Sequence, residues 1–286
     1  SIMKTYVNNA YGTLKKVLLC PIDNYQIMPI NFVAKKWMAE GHQMDYELCK
    51  KQHEALQKAY RDNGVEVELM EPKEGLVYEV FARDFGICLK EGYVLGHFKE
   101  PCRQGETPEY EKKLAELDVP CIARCTSGCF EGGDFCFLDE NTLLHGVIDR
   151  TDMAGFNSVK EQLDSLGYDV IPVPVARKYL HIDVCINIIA KNTVIICPDI
   201  LPEGVVARFE RRGFNMIKIT PEEVMQYSAN IQSLGNGKVI SSTTNTKVNQ
   251  IMRDPGLEVI EVDISEIVKG GGGIHCMTFP LVREAE

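Results

Sequence analysis

Five polar residues lie at nearly equal intervals along the 286-residue sequence. They are Asp84, Asp134, Asp183, Asn230 and Cys276, separated by 50, 49, 47 and 46 residues. A thiol that attacks an electrophilic carbon needs a group nearby that accepts and donates protons. Several carboxylates in one pocket repel one another unless a cation lies among them. The pattern therefore predicts nucleophilic chemistry on a cationic group, provided that the fold brings the five positions together.

Cys276 is the candidate nucleophile of this set. Four consecutive glycines, Gly270–Gly273, precede it and allow backbone and substrate to approach the thiol closely. His181, two residues before Asp183, is the candidate acid and base. His275 adjoins the cysteine, but neighbouring residues of a strand face opposite sides, so we expect a packed or partly exposed histidine there.

Carboxylates beside a thiol also suit a particular electrophile. A guanidinium is planar and presents N–H donors that carboxylates accept in pairs. Two aspartates flanking Cys276 would hold such a group with its carbon next to the sulfur. A metal site of cysteine, histidine and aspartate is the competing use of these residues, but it explains the ring of acids and the glycines less well.

The polar positions recur because the predicted secondary structure recurs. Each position begins a run of strand, turn, strand, helix and strand. The predicted helices lie near residues 108–118, 152–166, 202–212 and 244–253. The fifth run begins at Cys276 and is cut short by the chain end, while the N-terminal part supplies a strand at 14–19, a long helix at about 33–63 and a strand at 65–69.

These units predict an α/β fold. We expect a five-fold pseudosymmetric α/β propeller of ββαβ units in one catalytic domain, residues 1–286, whose last unit is closed by both termini. A closed ring leaves few exposed sheet edges and would direct the five polar positions to its centre. The alternative is a generic α/β domain in which polar residues happen to begin strands.

Two arginines have the same offset from an acid that precedes them. Arg103 follows Asp84 by 19 residues, and Arg150 follows Glu131 by 19 residues. Both fall in the loop after the second strand of a unit, so we expect them over the mouth of the predicted centre. There they would bind a substrate carboxylate through paired hydrogen bonds. Solvated surface arginines are the alternative.

Composition narrows the classes of function. The net charge of −10 argues against a nucleic-acid partner, and no apolar run approaches the roughly 18 residues of a membrane span. Eleven cysteines without a secretion signal indicate reduced thiols in the cytoplasm. Four of them are interpreted as packed apolar residues rather than zinc ligands: Cys121, Cys125, Cys129 and Cys136. The sequence leaves the oligomeric state open, with a homo-oligomer as one option.

Four motifs resemble those of the guanidino-group modifying enzymes of the pentein fold. They are Phe81-Ala82-Arg83-Asp84, Phe130-Glu131-Gly132-Gly133-Asp134, His181-Ile182-Asp183 and Gly272-Gly273-Ile274-His275-Cys276. That group comprises arginine deiminases, dimethylarginine dimethylaminohydrolases and amidinotransferases. The resemblance covers nearly the whole chain and implies a five-fold α/β propeller, in agreement with the repeat.

The resemblance also implies a role for each matching residue. Cys276 matches the nucleophile, His181 the general acid/base, and Glu131 the carboxylate that orients this histidine. Asp84 and Asp183 match the aspartates that bind the guanidinium nitrogens. The rest of the implied substrate-binding set is Arg103 and Arg150 at the amino-acid end of the substrate, Asp134 holding hydrogen bonds of the centre, and Phe81.

The implied activity is hydrolysis of the guanidino group of arginine or a close analogue, through a thiouronium intermediate on Cys276 and without metal or cofactor. Asp183 favours an unmethylated guanidinium, because a methylated nitrogen would leave one acceptor unsatisfied. The alternatives are an amidinotransferase, a dimethylarginine hydrolase, an arginine dihydrolase, and a non-catalytic or metal-binding protein. The chain departs from the arginine deiminases by lacking their extra helical domain, and by having Gly271 and Tyr78 where they carry an arginine and an asparagine.

Overall fold

The computed structural model describes residues 3–284. The strands are β1 (Leu14–Leu19), β2 (Glu66–Leu69), β3 (Gly86–Cys88), β4 (Tyr93–Leu95), β5 (Cys121–Arg124), β6 (Phe135–Phe137), β7 (Thr142–Val147), β8 (Asp169–Pro174), β9 (Ile186–Ala190), β10 (Thr193–Ile196), β11 (Asn215–Lys218), β12 (Gln232–Gly235), β13 (Lys238–Ser242), β14 (Glu258–Val262) and β15 (Phe279–Arg283). The helices are α1 (Phe32–Ala39), α2 (Tyr46–Asp62), α3 (Glu106–Glu116), α4 (Met153–Asp164), α5 (Glu203–Arg211), α6 (Pro221–Met225) and α7 (Thr246–Arg253).

The strands form five three-stranded sheets within residues 3–284. Their orders are β3-β4-β5, β6-β7-β8, β9-β10-β11, β12-β13-β14 and β15-β1-β2. In each sheet the first pair is antiparallel and the second is parallel. One or two helices connect the second strand to the third, as the parallel pairing requires. The fifth sheet takes β15 from one end of the chain and β1 and β2 from the other.

None of these sheets closes on itself in the described part of the chain, so the fold is not one continuous barrel. Neighbouring sheets instead approach one another mostly through their first strands or the turns just before them; the exception is β1, the middle strand of the fifth sheet. Strand β15 lies against β3, β6 against β9, β9 against β12, and β12 against β1. The turn before β3 lies against the turn before β6.

The predicted long helix over residues 33–63 is wrong, because this segment forms two helices, α1 and α2. Asn31 caps the start of α1 by accepting a hydrogen bond from the Ala34 amide. Gly41, with φ of +76°, follows the helix in a left-handed conformation that ends it. Asp45 then accepts from the Leu48 amide and starts α2.

The other predicted helices are present as α3, α4, α5 and α7, with small shifts at their ends. Helix α6 was not predicted from the sequence. It is short and begins with a capping box, in which Thr220 and Glu223 satisfy each other's backbone amides. It lies just before the fourth polar position.

The sequence pattern predicts that each polar position begins a strand, and this prediction is wrong. Asp84, Asp134 and Asp183 lie in short 3-10 turns that end just before β3, β6 and β9. Cys276 lies in a helical turn three residues before β15, where the Met277 amide donates to the Gly273 carbonyl. Such turns direct side chains along a different path from a strand, and this affects which residues meet at the site.

Apolar side chains fill the space between the sheets and the helices that cover them. Phe85 illustrates this packing, with its ring stacked on Tyr110 of α3 at 4.1 Å and tilted against Phe279 of β15 at 4.4 Å. None of the helices found in residues 3–284 has the length and apolar character needed to span a bilayer.

Gly132→Ala is expected to destabilise the protein by at least about 3 kcal/mol, because overpacked positions cost about that much when backbone must move. An added Cβ would lie 1.8 Å from the Gly86 carbonyl oxygen and 2.3 Å from that of Arg83, in the turn that carries Asp134. Urea unfolding measures the effect. Gly204→Ala is the matched control: its Cβ meets nothing within 4 Å, so a helical alanine should stabilise by about 0.5–1 kcal/mol. Similar urea midpoints of unfolding for the Gly132→Ala and Gly204→Ala variants would contradict the close packing around Gly132.

Candidate active site

The Cys276 thiol is buried and held by two side chains from other sheets. Asn230 donates from Nδ2 to Sγ at 3.2 Å and accepts from the Cys276 amide at 3.2 Å. The thiol points to Asp183 Oδ2 at 3.5 Å. Burial, together with the Asp183 and Asp84 carboxylates, raises the pKa of Cys276 well above its ordinary value. The thiol is therefore neutral in this structure.

The glycines before Cys276 make room for side chains of the protein itself. A Cβ on Gly271 would lie 2.2 Å from the Asn31 amide, and one on Gly272 would lie 2.4 Å from the Phe81 ring. A Cβ on Gly273 would lie 2.5 Å from Asn230 Oδ1. Close packing by neighbouring elements thus accounts for the run, in addition to any approach of a substrate.

His275 contacts a carboxylate of the site, which the sequence did not lead us to expect. Its Nδ1 lies 2.9 Å from Asp183 Oδ2, because residues 274–277 form a turn instead of the predicted strand. Burial and the charge of Arg83 lower the pKa of His275 to about 4, so the neutral ring donates to Asp183. Burial opposes ionisation of Asp183, but this hydrogen bond together with the charges of His181 and Arg83 outweighs it and lowers the pKa of Asp183.

His181 lies between two carboxylates at the centre of the site. Its Nε2 is 2.9 Å from Glu131 Oε1, and its Nδ1 is 3.9 Å from Asp84 Oδ1. Burial alone would lower the pKa of His181, but Asp84 and the hydrogen bond to Glu131 raise it to about 10. The imidazole is consequently a protonated acid at neutral pH. The predicted pairing of Glu131 with His181 is present in this geometry.

Arg103 is buried and surrounded by acceptors of the protein. It donates to Asp84 at 2.7 Å and to both oxygens of Glu106, at 2.8 and 3.0 Å. It also donates to the carbonyls of Tyr78 and Phe81, each at 3.2 Å. Binding of a substrate carboxylate by Arg103 remains a prediction, and in this geometry most of its N–H groups already have partners.

Arg150 is also buried, and it lies beside the catalytic pair predicted above. Its Nη1 is 3.8 Å from Glu131 Oε2, its Nε is 3.2 Å from Asp149, and its Nη2 donates to the Ile30 carbonyl. Burial opposes ionisation of Glu131, but Arg150 and then His181 outweigh it and lower its pKa. Arg150 therefore keeps Glu131 charged and ties the segment before α1 to the site.

The two remaining predicted residues, Asp134 and Phe81, contact other side chains and backbone of the protein. Asp134 accepts from the Thr151 hydroxyl at 2.7 Å and from the Ile182 amide at 3.2 Å, which links its turn to the turn that carries His181. Phe81 packs edge-on against Tyr25 at 5.8 Å and against Gly272. The expected role of Asp134 in holding hydrogen bonds of the centre agrees with these contacts.

Ligand atoms of Asp84, Glu131 and His181 lie within 4.8 Å of one another, close enough to hold a metal ion. In this protein the imidazolium of His181 already supplies a positive charge between the two carboxylates. The cysteines at positions 121, 125 and 129 form no comparable ligand group in residues 3–284. Cys121 is exposed, so its interpretation as a buried residue is wrong.

Three residues at the site were missed from the sequence: Glu106, Asn31 and Thr151. Glu106 lies on α3 only three residues after Arg103, and this i,i+3 spacing was a readable signal. Asn31 caps α1 and donates to the Gly270 carbonyl at 2.9 Å, a contact over 239 residues with no sequence signal.

Glu131→Gln is expected to lower the pKa of His181 from about 10 towards the ordinary value near 6.5, and to reduce turnover by about 10²-fold or more. Because the pKa of His181 is higher in the folded than in the unfolded protein, its protonation adds to the free energy of unfolding. This contribution is complete below pH ~6.5 and is lost as pH rises through about 10. The variant should therefore lose this stabilisation at a lower pH. NMR titration of the ring and urea unfolding between pH 6 and 10 measure both effects. Glu111→Gln, at an exposed pair with Arg124, is the control. An unchanged His181 titration would contradict the assignment.

Known proteins resemble this chain in sequence and in fold. The family model for N,N dimethylarginine dimethylhydrolase, eukaryotic, matches residues 22–283. The uncharacterized protein YkgA of Bacillus subtilis is 31% identical over 280 residues, covering 98% of this chain and 96% of its own. An arginine deiminase of Listeria welshimeri is 25% identical over 71% of this chain and 61% of its own.

Solved structures share the fold. The N-terminal domain of ArgZ, an arginine dihydrolase from Cyanobacteria, has a TM-score of 0.81 and 22% identity, covering 94% of this chain and 97% of that chain. A dimethylarginine dimethylaminohydrolase from Pseudomonas aeruginosa, complexed with citrulline, has a TM-score of 0.77 and 24% identity, covering 94% and 100%. Because the family model spans nearly the whole sequence, the chain belongs to the N,N-dimethylarginine dimethylhydrolase family, among the guanidino-group modifying enzymes of the pentein fold.

Proposed function

We propose that this protein hydrolyses the guanidino group of arginine or a close analogue through a covalent intermediate on Cys276. One observation carries the proposal: a buried thiol, an imidazolium and two aspartates converge from the turns before β3, β9 and β15, which belong to three different sheets. Cys276 contacts Asp183, and Asp84 lies beside His181. ArgZ, which has the same fold, has been solved covalently bound to a reaction intermediate.

The two aspartates each offer an oxygen suited to a guanidinium. Asp84 Oδ1 and Asp183 Oδ1 are buried and have no hydrogen-bond partner within the described residues. An unsatisfied buried carboxylate oxygen is costly, and a planar N–H donor would remove that cost. A guanidinium bound between Asp84 and Asp183 would also lower the pKa of Cys276, since it offsets the negative charges that now raise it.

The reaction then follows from these groups. The sulfur of Cys276 adds to the guanidinium carbon, its proton having left to a site carboxylate or to water. His181 gives its proton to the departing nitrogen, the C–N bond breaks, and ammonia or an amine leaves. A thiouronium remains on the sulfur. Water, which gives a proton to His181, adds to the same carbon, and the C–S bond breaks to release a ureido product and the thiol.

An unmethylated guanidinium can donate hydrogen bonds to both Asp84 and Asp183, whereas a methylated nitrogen would leave one carboxylate oxygen without a donor. We therefore favour arginine or a close analogue over dimethylarginine, although the family model carries the dimethylarginine name. An amidinotransferase is the second candidate, because the same residues would serve an amine acceptor in place of water.

We also infer that the five sheets surround this site as one five-fold propeller domain spanning residues 1–286, of which residues 1, 2, 285 and 286 lie outside the described part. Contacts between strands or turns of successive sheets support this arrangement. A cytoplasmic location agrees with the eleven cysteines, none of which is paired in a disulfide.

The test is turnover of arginine, methylarginines, agmatine and guanidinoacetate, with separate assays for the ureido product and for ammonia. Hydrolysis of arginine without an added amine supports the proposal. Turnover that requires an amine acceptor would favour the transferase, and preference for dimethylarginine would overturn the argument from Asp183.

A further inference from the structure

His275 adjoins the nucleophile but takes no part in the proton transfers described above. Its ring is half-buried, and its Nδ1 lies 2.9 Å from Oδ2 of the fully buried Asp183. Asp183 is one of the two carboxylates proposed to bind the guanidinium. A side chain that fixes this carboxylate therefore also affects how the substrate is held.

Each of the two aspartates has one oxygen taken by the protein and one left over. Oδ2 of Asp84 accepts from Arg103 at 2.7 Å, and Oδ2 of Asp183 accepts from His275. The Oδ1 atoms of both aspartates are buried and have no hydrogen-bond partner within residues 3–284. His275 thus determines which oxygen of Asp183 is left for an N–H group of the substrate, as Arg103 does for Asp84.

The two partners differ in charge. Arg103 brings a positive charge to Asp84. His275 is neutral at pH 7, because burial and the charge of Arg83 lower its pKa to about 4. A neutral N–H donor orients a carboxylate without cancelling its charge, so Asp183 can still form a charge-assisted hydrogen bond with a guanidinium.

Oδ2 of Asp183 has a second neighbour, the thiol of Cys276 at 3.5 Å. In the proposed reaction the thiol loses its proton and the sulfur becomes bonded to the substrate carbon, so this donor disappears. The Nδ1–H group of His275 is not consumed in that step. It therefore continues to hold Asp183 through the covalent stage, when the thiouronium still carries N–H groups that the carboxylate accepts.

The turn that carries His275 is anchored to neighbouring sheets. Arg83 donates from Nε to the His275 carbonyl at 3.2 Å, and from its amide to the Cys276 carbonyl at 3.1 Å. Its Nη2 also donates to Gln232 of β12 at 2.9 Å. Because Arg83 precedes Asp84 in the chain, these contacts link the turn that carries one aspartate to the turn that fixes the other.

We propose that His275 is a positioning residue for Asp183: its Nδ1–H group holds Oδ2, leaves Oδ1 for the guanidinium, and keeps the carboxylate in place while Cys276 is covalently modified. This inference rests on the proposed function and adds one residue to it. It requires the donor atom at Nδ1, and neither the ring nor the size of the side chain.

His275→Asn and His275→Gln separate the donor atom from the side chain that carries it. An asparagine amide places an N–H group near the position of Nδ1, whereas a glutamine amide lies one bond farther from the backbone, near Nε2. The ring borders a cavity of about 40 Å³ into which the longer amide can extend, so both variants should fold. Urea unfolding checks that their stabilities match.

The kinetic readout uses whichever of the four guanidino compounds above wild type hydrolyses fastest. His275→Asn should keep kcat/KM within about fivefold of wild type, and His275→Gln should lose about 10²-fold, the effect of misplacing a group at the reacting centre by about 1 Å. The loss should appear in both kcat and KM, since Asp183 holds the guanidinium in the bound and the reacting state. His97→Gln, at an exposed histidine that contacts the Gly128 carbonyl, is the control and should match wild type.

Equal losses in His275→Asn and His275→Gln, or unchanged kinetics in His275→Gln, would overturn the inference while hydrolysis itself stands. If His275→Gln unfolds at lower urea than His275→Asn, His275→Ala replaces it, because alanine removes the donor without adding bulk; the same loss is expected. Absence of wild-type turnover of every guanidino compound would overturn the proposed function and this inference together.

Discussion

Cys276→Ser is expected to lose turnover by at least about 10³-fold, because a serine hydroxyl is a far weaker nucleophile and leaving group at this carbon than a sulfur. The fold should be retained, since Asn230 can bond to a hydroxyl as it does to the thiol. Steady-state assays of the ureido product measure the loss. Mass spectrometry of quenched reactions should detect a substrate-sized adduct on wild type and none on the variant.

The matched control is Cys121→Ser, since Cys121 is exposed and lies at the start of β5, away from the thiol contacts described above. This variant should keep wild-type turnover. Retained activity in Cys276→Ser, or an adduct that persists in that variant, would refute a covalent role of Cys276. Equal losses in the two variants would point to a general effect of removing a thiol.

Arg103→Met is expected to reduce the free energy of unfolding by about 3–5 kcal/mol, the range for breaking a buried ion pair from one side. The change leaves two carboxylates, Asp84 and Glu106, buried without the guanidinium that now joins them. Burial already raises the pKa of Glu106 to about 7 despite Arg103, so this acid becomes neutral readily once the arginine is gone. The loss should therefore be larger above pH 7 than below it.

Urea unfolding at pH 6 and pH 8 measures this effect. Arg124→Met removes an arginine from an exposed pair with Glu111 and should change stability by less than about 1 kcal/mol. The double variant Arg103→Met with Glu106→Gln should recover part of the loss, because one orphaned charge is removed. A stable single variant that loses only affinity for substrate would instead support the original expectation that Arg103 binds the carboxylate.

Much of the secondary structure could be predicted from local sequence patterns. Each of the five units has two apolar segments, a helix and a third apolar segment at a nearly constant interval, and hydrophobic periodicity is a local property. The break between α1 and α2 was not predicted, although Gly41 is a typical residue at the end of a helix and Asp45 a typical N-cap. The ring of sheets depends on contacts between strands far apart in sequence, so periodicity alone could suggest it but not establish it.

At the site, residue types and spacing predicted Cys276, His181, Asp84 and Asp183, and the resemblance to the guanidino-group modifying enzymes added Glu131 as the carboxylate that orients His181. Chemistry of this kind requires particular functional groups, and Asp84, Asp183 and Cys276 carry such groups at a nearly regular interval. The contacts His181–Glu131 and Cys276–Asp183 agree with that reading. The predicted roles themselves remain to be tested by the substitutions described above.

Tertiary structure decided how these groups are used. His275 meets Asp183 because a turn replaces the expected strand, and Arg103 meets Glu106 because α3 begins beside it. Hydrogen-bond partners and burial depend on atoms brought together from 50 to 240 residues apart, so no local pattern reports them. The sequence by itself determined which groups are available for the chemistry, and only the packed fold determined which are charged and which already have partners.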